Sequence, residues 1–495
     1  MKRVLDKVLV PNRGEIAVRI ARACREEGIR CILAHSEADD VRFTRRFFDD
    51  LVSLGKGEAA ETYLNVSRVI DAARSACASA IHPGYGFLSE RPELAAACRD
   101  TGITFVGPTP EAIASMGSKA ESRRLMQTLG VPVVPGYDGV EQDDGTLRAE
   151  AAKIGFPLLV KASAGGGGKG MKIVRSAPEL PSAIESARRE ASGAFGDDRL
   201  LLERYVENPR HVEFQVLGDE RGEIVHLFER DCSIQRRHQK IVEESPAPRY
   251  GEELRSRMAE AAIAAARGVG YRNAGTVEFI VSPEGEFYFL EMNTRLQVEH
   301  PVTELVTATD LVRAQLRVAA GEPLPWRQED LAQRGHAVEV RVYAEDPDDR
   351  FLPQSGILAR YEEPSGPGIR VDSGVTRGSE VGVRFDPMLA KVIAHGPDRT
   401  TALDRLQRAL GEYVILGLVT NVSYLRRVIA HPSFRSGEVD TSFVERHRES
   451  LQRTIREDVP LVAAALAALP LREASPLDTP RRAESIWDRL GPWGR

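Results

Sequence analysis

The fold of this chain is organised around the stretch Glu291-Met292-Asn293-Thr294-Arg295-Leu296-Gln297-Val298-Glu299-His300. The apolar run 287–290 lies directly before it, and a second β-rich run, 276–281, lies a few residues upstream. The residues between the two runs include Pro283 and Gly285, which is typical of a hairpin turn. We therefore predict two antiparallel strands, the second of which leads into the quoted stretch.

The predicted hairpin places oxygen-bearing side chains on one face. Because side chains alternate with a period of two, we expect Phe289, Glu291 and Asn293 to share one face of the second strand. One turn register sets Glu278 directly opposite Glu291, and the other makes them diagonal neighbours. Facing like charges destabilise a sheet, so a cation is expected between them, and such oxygen ligands suit Mg²⁺. On these residues alone, a solvated hairpin face with scattered acids is the alternative.

Composition limits the class of protein. The 495 residues suffice for about three domains, and the net charge of −6 gives no general reason to expect nucleic acid or an anionic membrane as a partner. Five cysteines without a CxxC pair favour a reducing compartment over a disulfide framework. The sequence contains neither a signal-peptide core nor an apolar run long enough for a membrane helix. We expect a cytoplasmic protein.

The first hundred residues alternate strand and helix. A short β run at Lys7–Val10 is followed by a helical pattern that ends at Gly28, and residues 30–34 are again β-rich. This βαβ pattern predicts a parallel sheet. Only Gly14 lies in the first turn, which argues against a dinucleotide site because such a site needs several glycines. The later loop 82–90 either lines one side of a ligand-binding site, as a ligand wall, or is a turn that needs glycine for its shape alone.

A glycine-rich segment, Ser163-Ala164-Gly165-Gly166-Gly167-Gly168-Lys169-Gly170, has β-rich sequence on both sides. A P-loop would instead lead into a helix and end in Gly-Lys-Ser/Thr. We therefore predict a flap between two strands, whose backbone N–H groups can fold over phosphates. The adjacent Lys161 and Lys172 favour this interpretation over a merely flexible hairpin tip.

Two further segments carry candidate ligand groups. The apolar strand 199–206 contains Glu203, which could accept a hydrogen bond from an adenine amino group, although a lone glutamate at a strand end is ordinarily solvated. The charge-rich run 229–244 contains His238 and Lys240. It is either a solvated face or a cationic patch for a small anion or a polyphosphate.

These motifs in this order resemble the biotin carboxylases, members of the ATP-grasp superfamily, over about residues 1–447. The resemblance is carried by Pro11–Ala17, His82–Glu90, Lys161–Gly170, Glu229–Lys240, Glu291–Thr303 and Ala344–Pro347. It implies an α/β and α+β chain with the ATP-grasp fold. The implied parts are a Rossmann-like domain at 1–116, an ATP-grasp domain at 117–333 with its flap at about 133–205, a C-terminal mixed-sheet domain at 334–447, and a helical or poorly ordered tail at 448–495.

The resemblance also implies roles for individual residues. It implies nucleotide binding by Lys119, Lys161, Gly167, Gly168, Glu203, Arg204, Tyr205, Val206, His211, Gln235, His238, Glu278 and Glu291. It implies metal ligation by Glu278, Glu291 and Asn293. It implies bicarbonate binding by Lys240, Arg295, Gln297 and Val298. Among the catalytic residues Glu299, Arg295, Arg341 and Lys240, Glu299 matches the general base and Arg341 faces the ureido oxygen of biotin.

The resemblance implies that ATP and bicarbonate are substrates and that Mg²⁺ or Mn²⁺ is the metal cofactor. It also implies that carrier-bound biotin accepts the carboxyl group. Biotin attachment needs a Met-Lys pair in a carrier domain, and the sequence has such pairs only at Met1-Lys2 and inside the predicted flap at Met171-Lys172. A separate biotin carboxyl carrier protein and carboxyltransferase are therefore expected, together with a homodimer. The alternatives are another ATP-grasp ligase, such as half of a carbamoyl-phosphate synthetase, or a catalytically silent nucleotide-binding scaffold.

Overall fold

The N-terminal region folds around a five-stranded parallel sheet, as its alternating pattern predicts. The computed structural model describes residues 4–162, 171–195, 198–236 and 239–452. The strand order is β3-β2-β1-β4-β5 and all pairs are parallel. The strands are β1 (Lys7–Val10), β2 (Arg30–His35), β3 (Asp50–Ser53), β4 (Ala80–Ile81) and β5 (Thr104–Phe105). The helices are α1 (Gly14–Glu26), α2 (Val66–Ser75), α3 (Pro92–Asp100) and α4 (Pro110–Gly117).

A smaller four-stranded antiparallel sheet follows, in the order β6-β9-β7-β8. Its alternating strand β7 buries Leu158 and Val160 against α6 and α7. The strands are β6 (Gly136–Tyr137), β7 (Leu158–Ala162), β8 (Lys172–Val174) and β9 (Leu200–Arg204), and the helices are α5 (Lys119–Thr128), α6 (Asp144–Ile154) and α7 (Leu180–Phe195). Strands β7 and β8 flank the glycine-rich segment, as predicted, while residues 163–170 themselves lie outside the described part of the chain.

The largest sheet has eight strands in the order β14-β13-β10-β11-β12-β15-β22-β20. Five of them are β10 (Arg210–Gly218), β11 (Ile224–Arg236), β12 (Gln239–Ser245), β13 (Asn273–Val281) and β14 (Phe287–Asn293). The helices of this region are α8 (Glu252–Gly268), α9 (His300–Thr307) and α10 (Leu311–Ala319). Apolar residues of β10, β13 and β14 pack on α8 and form a core on one face of the sheet.

Residues beyond 334 extend this large sheet. Strands β15 (His336–Tyr343), β20 (Ile369–Ser373) and β22 (Met388–Gly396) continue it, and the paired short strands are β16 (Glu345–Asp346) with β17 (Leu352–Pro353), β18 (Gly356–Ile357) with β21 (Glu380–Val381), and β19 (Arg360–Glu362) with β23 (Val414–Leu416). The helices are α11 (Arg399–Glu412), α12 (Val422–Ala430), α13 (Pro432–Arg435) and α14 (Phe443–Arg446). The fold class is confirmed, but the mixed sheet expected here is antiparallel in every described pair.

The N-terminal and C-terminal regions meet closely beside the large sheet. A Cβ atom on Gly374 would lie 2.4 Å from the Cα of Gly14, so only glycine allows this approach between the two backbones. None of the described helices is long and apolar enough to cross a membrane. The predicted tail at 448–495 lies outside the described residues from position 453 onward.

Candidate active site

The hairpin of β13 and β14 sets Glu278 directly opposite Glu291, one of the two predicted registers. A β-bulge between the Glu278 and Phe279 pairings leaves Leu290 as the extra residue of β14, and this shift brings the two carboxylates into register. The bulge also reverses the face of Phe289, which pairs with Phe279 and lies buried in the apolar core. The expectation that Phe289 shares a face with Glu291 is therefore wrong, because a period-two pattern fails across a bulge.

A row of charged residues crosses four neighbouring strands of the large sheet. Glu291 faces Glu278, Glu278 faces Glu213 of β10, and Glu213 faces Arg230 of β11. Arg230 Nε lies 2.6 Å from Glu213 Oε1, and both side chains are completely buried. Three adjacent carboxylates repel one another, so this edge of the sheet requires cations.

Lys240 on β12 supplies one of these cations. Its Nζ lies 2.6 Å from Glu213 Oε2, 2.7 Å from Glu278 Oε1 and 2.8 Å from Glu299 Oε1. Burial alone would lower the pKa of Lys240, but the three carboxylates outweigh it and hold the pKa well above its usual range. Lys240 is therefore a permanently charged centre that joins the sheet to the stretch identified in the sequence.

Glu299 lies between two cations. It occupies the position before α9 and its side chain is fully buried. Its Oε1 faces Lys240, and its Oε2 accepts a hydrogen bond of 2.9 Å from Arg341 Nη2. Burial would raise the pKa of Glu299, but the charges of Lys240 and Arg341 hold it well below the usual range. The predicted base is thus an ionised carboxylate that contacts two of the predicted catalytic residues.

Arg295, Gln297 and Asn293 form a second group beside Glu278. Arg295 donates to Gln297 Oε1 at 2.8 Å and to Asn293 Oδ1 at 3.2 Å. The amide groups of Gln297 and Asn293 donate in turn to Glu278 Oε1, at 3.0 and 2.7 Å. Arg295 Nε also lies 3.0 Å from Glu90 Oε2, so the loop 82–90 reaches the site, and its role as a wall of a ligand site stays a prediction.

The loop after Arg295 is held from the C-terminal region. Lys391 on β22 donates to the carbonyl of Val298 at 2.8 Å and is itself fully buried. Its Nζ lies 3.3 Å from Glu15, whose carboxylate accepts a hydrogen bond from the hydroxyl of Tyr85. Three regions of the chain thus meet behind the predicted bicarbonate residues.

The predicted nucleotide residues divide into two groups. His211 Nε2 lies 2.7 Å from Glu278 Oε2, and Gln235 Nε2 lies 2.6 Å from His211 Nδ1. Burial would lower the pKa of His211, but Glu278 outweighs it and raises the pKa above its usual value. This group therefore adjoins the carboxylate row directly.

The second group lies on the smaller sheet. The carboxylate of Glu203 contacts Lys161 and also lies 3.0 Å from Arg123 Nη1, so it is ion-paired and not solvated. The backbone N–H groups of Arg204 and Tyr205 donate to carbonyls of neighbouring loops, and Val206 follows the end of β9. Gly167, Gly168, His238 and the side chain of Lys119 lie outside the described part of the structure.

Sequence reasoning missed several buried charges at the site. Glu213 and Gln215 alternate with the apolar residues of β10, so a period-two pattern could have placed them on the polar face of the sheet. Arg230 and Glu243 lie in the charge-rich run but were not singled out. Glu243 Oε1 accepts a hydrogen bond of 2.6 Å from Arg341 Nε, and it supports a residue that the sequence did identify.

The donor set of the carboxylate row fits a hard divalent cation. Glu278 and Glu291 face each other across the hairpin, and Asn293 adjoins Glu278. Burial would raise the pKa of Glu278, but Lys240 and His211 outweigh it and lower the pKa far below its usual range. Ionised carboxylate and amide oxygens are the ligands that Mg²⁺ and Mn²⁺ favour, so these residues fit the metal that the sequence predicts.

The large antiparallel sheet, the smaller sheet beside the glycine-rich segment and the buried carboxylate row define a nucleotide-dependent ligase of the ATP-grasp class. Family models agree along the chain. Residues 4–113 match the biotin carboxylase N-terminal domain, 118–327 the ATP-binding domain of the carbamoyl-phosphate synthase L chain, and 339–446 the biotin carboxylase C-terminal domain.

Known proteins resemble the chain over most of its length. A biotin carboxylase of Nostoc sp. is 48% identical over 89% of this chain and 98% of its own length. The alpha subunit of the mitochondrial methylcrotonoyl-CoA carboxylase of Dictyostelium discoideum is 49% identical over 98% of this chain. The chain spans 61–70% of such alpha subunits. The chain therefore belongs to the biotin carboxylase family.

Solved structures agree with this assignment. The biotin carboxylase domain of the Hydrogenobacter thermophilus 2-oxoglutarate carboxylase, a dimer in complex with MgADP, ADP and bicarbonate, has a TM-score of 0.85 and 44% identity over 91% of this chain and 99% of its own. The biotin carboxylase of Campylobacter jejuni in a beta-gamma-ATP complex has a TM-score of 0.86 and 42% identity over 90% of this chain and 99% of its own. Identities of 44% and 42% show that this chain shares the family of these two proteins as well as their fold.

Proposed function

We propose that this chain uses ATP and bicarbonate to carboxylate biotin on a separate carrier protein, the first half-reaction of a biotin-dependent carboxylase. The observation that carries the proposal is the position of Glu299, which lies 2.8 Å from Lys240 and 2.9 Å from Arg341. This base lies beside the facing carboxylates Glu278 and Glu291. A proton acceptor, an anion site and a metal site therefore lie side by side.

Bicarbonate is a poor nucleophile, so its activation is the first task. Arg295 and Lys240 hold the anion, with Gln297 and Val298 completing its site, and Glu299 accepts its proton. The oxygen of bicarbonate then attacks the γ-phosphorus of ATP and the bond to the bridging β,γ-oxygen breaks, which gives carboxyphosphate and ADP. Binding of the anion draws Lys240 away from Glu299, and this raises the proton affinity of the base.

The nucleotide is held from two sides. Lys119, Lys161 and the glycine-rich flap bind its phosphates, and the strand end at Glu203–Val206 meets the adenine. Glu278, Glu291 and Asn293 would hold a divalent cation, which would supply positive charge beside the phosphoryl group that is transferred. In this proposal Lys161 leaves Glu203 when phosphate binds, because a polyanion competes with the carboxylate for the ammonium group.

Arg341 acts in the second stage. Carboxyphosphate splits into CO₂ and phosphate, and the phosphate removes the N1′ proton of biotin. The nitrogen then attacks CO₂, and the guanidinium of Arg341 stabilises the negative charge that develops on the ureido oxygen. A guanidinium suits this task because it never loses its charge.

The assembly follows from the same proposal. The proposal includes a biotin carboxyl carrier protein and a carboxyltransferase as partners, and the chain forms a homodimer, as the dimeric biotin carboxylase domain of H. thermophilus does. In the same proposal, the Rossmann-like domain ends at residue 116, the ATP-grasp domain at 333 and the C-terminal domain at 447. A cytoplasmic location is supported by the cysteines, all of which are free thiols.

The test is ATP hydrolysis measured with and without bicarbonate, and with and without free biotin. Biotin carboxylation predicts hydrolysis that requires bicarbonate and is stimulated by biotin, with carboxybiotin as a product. Bicarbonate-dependent hydrolysis that biotin does not stimulate would favour another ATP-grasp ligase. Nucleotide binding without any turnover would favour a silent scaffold.

A further inference from the structure

Two buried glutamates face each other behind the base. Glu243 on β12 and Glu339 on β15 are direct cross-strand partners, and both side chains are completely buried. Neither oxygen of Glu339 receives a hydrogen bond from any residue that the structure describes, and the same is true of Glu243 Oε2. Residues that face each other across antiparallel strands have Cβ atoms only about 5 Å apart, so the two carboxyl groups are close neighbours.

The surrounding charges do not neutralise this pair. From β15 itself, Arg341 is bound to Glu243 and Glu299. From β22, Lys391 donates to the carbonyl of Val298 and lies 3.3 Å from Glu15. Directly before α9, Glu299 carries the nearest charge; α9 itself packs the apolar Val302 and Val306 here and also carries the buried His300 and Glu304. Arg341 is therefore bonded to Glu243 and Glu299, whereas Lys240 acts on Glu243 and Lys391 acts on Glu339 without a hydrogen bond to either acid.

A single proton on the pair removes the repulsion between two facing carboxylates. An isolated buried carboxylate is costly and takes up a proton instead of ionising. If Glu339 is a neutral carboxylic acid, its O–H can donate to Glu243 Oε2, which gives a partner to that oxygen and to one of the two oxygens of Glu339. Burial raises the pKa of Glu339 well above its usual range, and burial raises that of Glu243 to about 7 against the opposing charge of Arg341. Two acids coupled in this way titrate as a pair.

We propose that Glu243 and Glu339 share one proton and that this acid pair is a positioning element, which fixes the guanidinium of Arg341 beside Glu299. Glu243 Oε1 anchors Arg341 Nε at 2.6 Å, so that Arg341 Nη2 reaches Glu299 at 2.9 Å. If both glutamates were ionised, their two negative charges would attract the guanidinium of Arg341 away from Glu299. If both were neutral, Arg341 would lose its charged anchor and would pair with Glu299 alone. The inference rests on the proposed function, since the base and the guanidinium belong to that reaction.

Infrared spectroscopy tests the shared proton without any turnover. The difference spectrum between the wild type and Glu339→Gln at about pH 7 is expected to contain the C=O stretching band of a protonated carboxylic acid. The matched control is Glu244→Gln, because Glu244 is the adjacent buried carboxylate and is ionised through Arg399 and His336. Its difference spectrum is expected to contain carboxylate bands only. Carboxylate bands alone in the Glu339→Gln spectrum would overturn the proposal.

The stability of the fold provides a second measurement. An acid whose pKa is raised by folding stabilises the folded chain only while it is protonated, and this contribution is lost as the pH rises above the usual carboxyl range of about 4.5. Glu339→Gln cannot ionise, so its melting temperature is expected to rise relative to the wild type as the pH increases. A constant difference in melting temperature would contradict the shared proton.

Kinetics test the positioning role. Glu243→Gln removes the negative charge that anchors Arg341, and biotin-dependent turnover is expected to fall about 10- to 100-fold while ADP affinity, which also reports folding, is retained. Biotin-dependent turnover declines on the alkaline side of its pH profile. In Glu339→Gln, the pH of this decline is expected to be higher than in the wild type by about one unit or more. Normal turnover in the folded Glu243→Gln variant, or an unchanged pH of the alkaline decline, would refute the role. A wild-type protein without biotin stimulation would refute the proposed function, whereas the infrared measurement decides the acid pair independently.

Discussion

The side chain of Lys391 donates to the backbone carbonyl of Val298 at a distance of 2.8 Å. Lys391 belongs to a strand of the C-terminal region, and Val298 precedes Glu299 in the loop that leads into α9. Because Lys391 is fully buried and also lies 3.3 Å from Glu15 of the N-terminal region, one ammonium group joins three regions of the chain at the site.

Replacing Lys391 with methionine should destabilise the fold and weaken bicarbonate binding. The change keeps the volume but leaves Glu15 and the Val298 carbonyl buried without their cation, and unpairing a buried charge costs about 3–5 kcal/mol. Chemical unfolding measures the cost. The control is Lys153→Met, because Lys153 is 71% exposed and its bond to Glu150 lies on the surface, where little change is expected. Equal stability of the two variants would contradict the role of Lys391.

Glu299→Gln should abolish turnover while nucleotide affinity survives. The amide cannot accept the proton of bicarbonate, and loss of a general base lowers rates by about 10²- to 10⁴-fold. Steady-state hydrolysis measures the rate, and calorimetric titration with ADP measures the affinity. Loss of ADP binding in a folded variant would show that the role assigned to Glu299 is wrong.

Arg230→Met should be strongly destabilising on its own. Arg230 is completely buried and lies 2.6 Å from Glu213, so its removal leaves a carboxylate with Lys240 alone and costs about 3 kcal/mol or more. Adding Glu213→Gln removes the uncompensated charge, and the double variant is expected to recover about 1–3 kcal/mol. Strictly additive losses in denaturant titrations would show that the two residues do not interact energetically.

Glu244 should contribute stability that disappears in acid. Burial would raise its pKa, but His336 and Arg399 outweigh burial and lower the pKa to about 2. A carboxyl whose pKa is lowered by folding stabilises the folded chain above its unfolded pKa of about 4.5, and this contribution is lost as the pH falls towards 2. The shift corresponds to about 3 kcal/mol. The stability of Glu244→Gln is therefore expected to approach that of the wild type between about pH 5 and pH 2 in parallel denaturation series, and an unchanged gap would contradict this.

The hairpin illustrates how far local sequence patterns reach. Alternation and turn residues predicted the strands and one register that pairs Glu278 with Glu291, because these features depend on residues near one another in the chain. The bulge at Leu290 carries no such signal, and it decided both the register and the buried face of Phe289.

By itself the sequence determined the parallel N-terminal sheet, the strands beside the glycine-rich segment and the hairpin that carries Glu278, Glu291 and Asn293. It also determined which residue types could act as base and anion site. Only the tertiary structure decided that Lys240 joins carboxylates 27, 38 and 59 positions away, and that Glu339 faces Glu243 while Arg341 is bonded to Glu243 and not to Glu339. The reason is physical: burial and strand order set the interactions of a charged group, and both arise only when distant segments pack together.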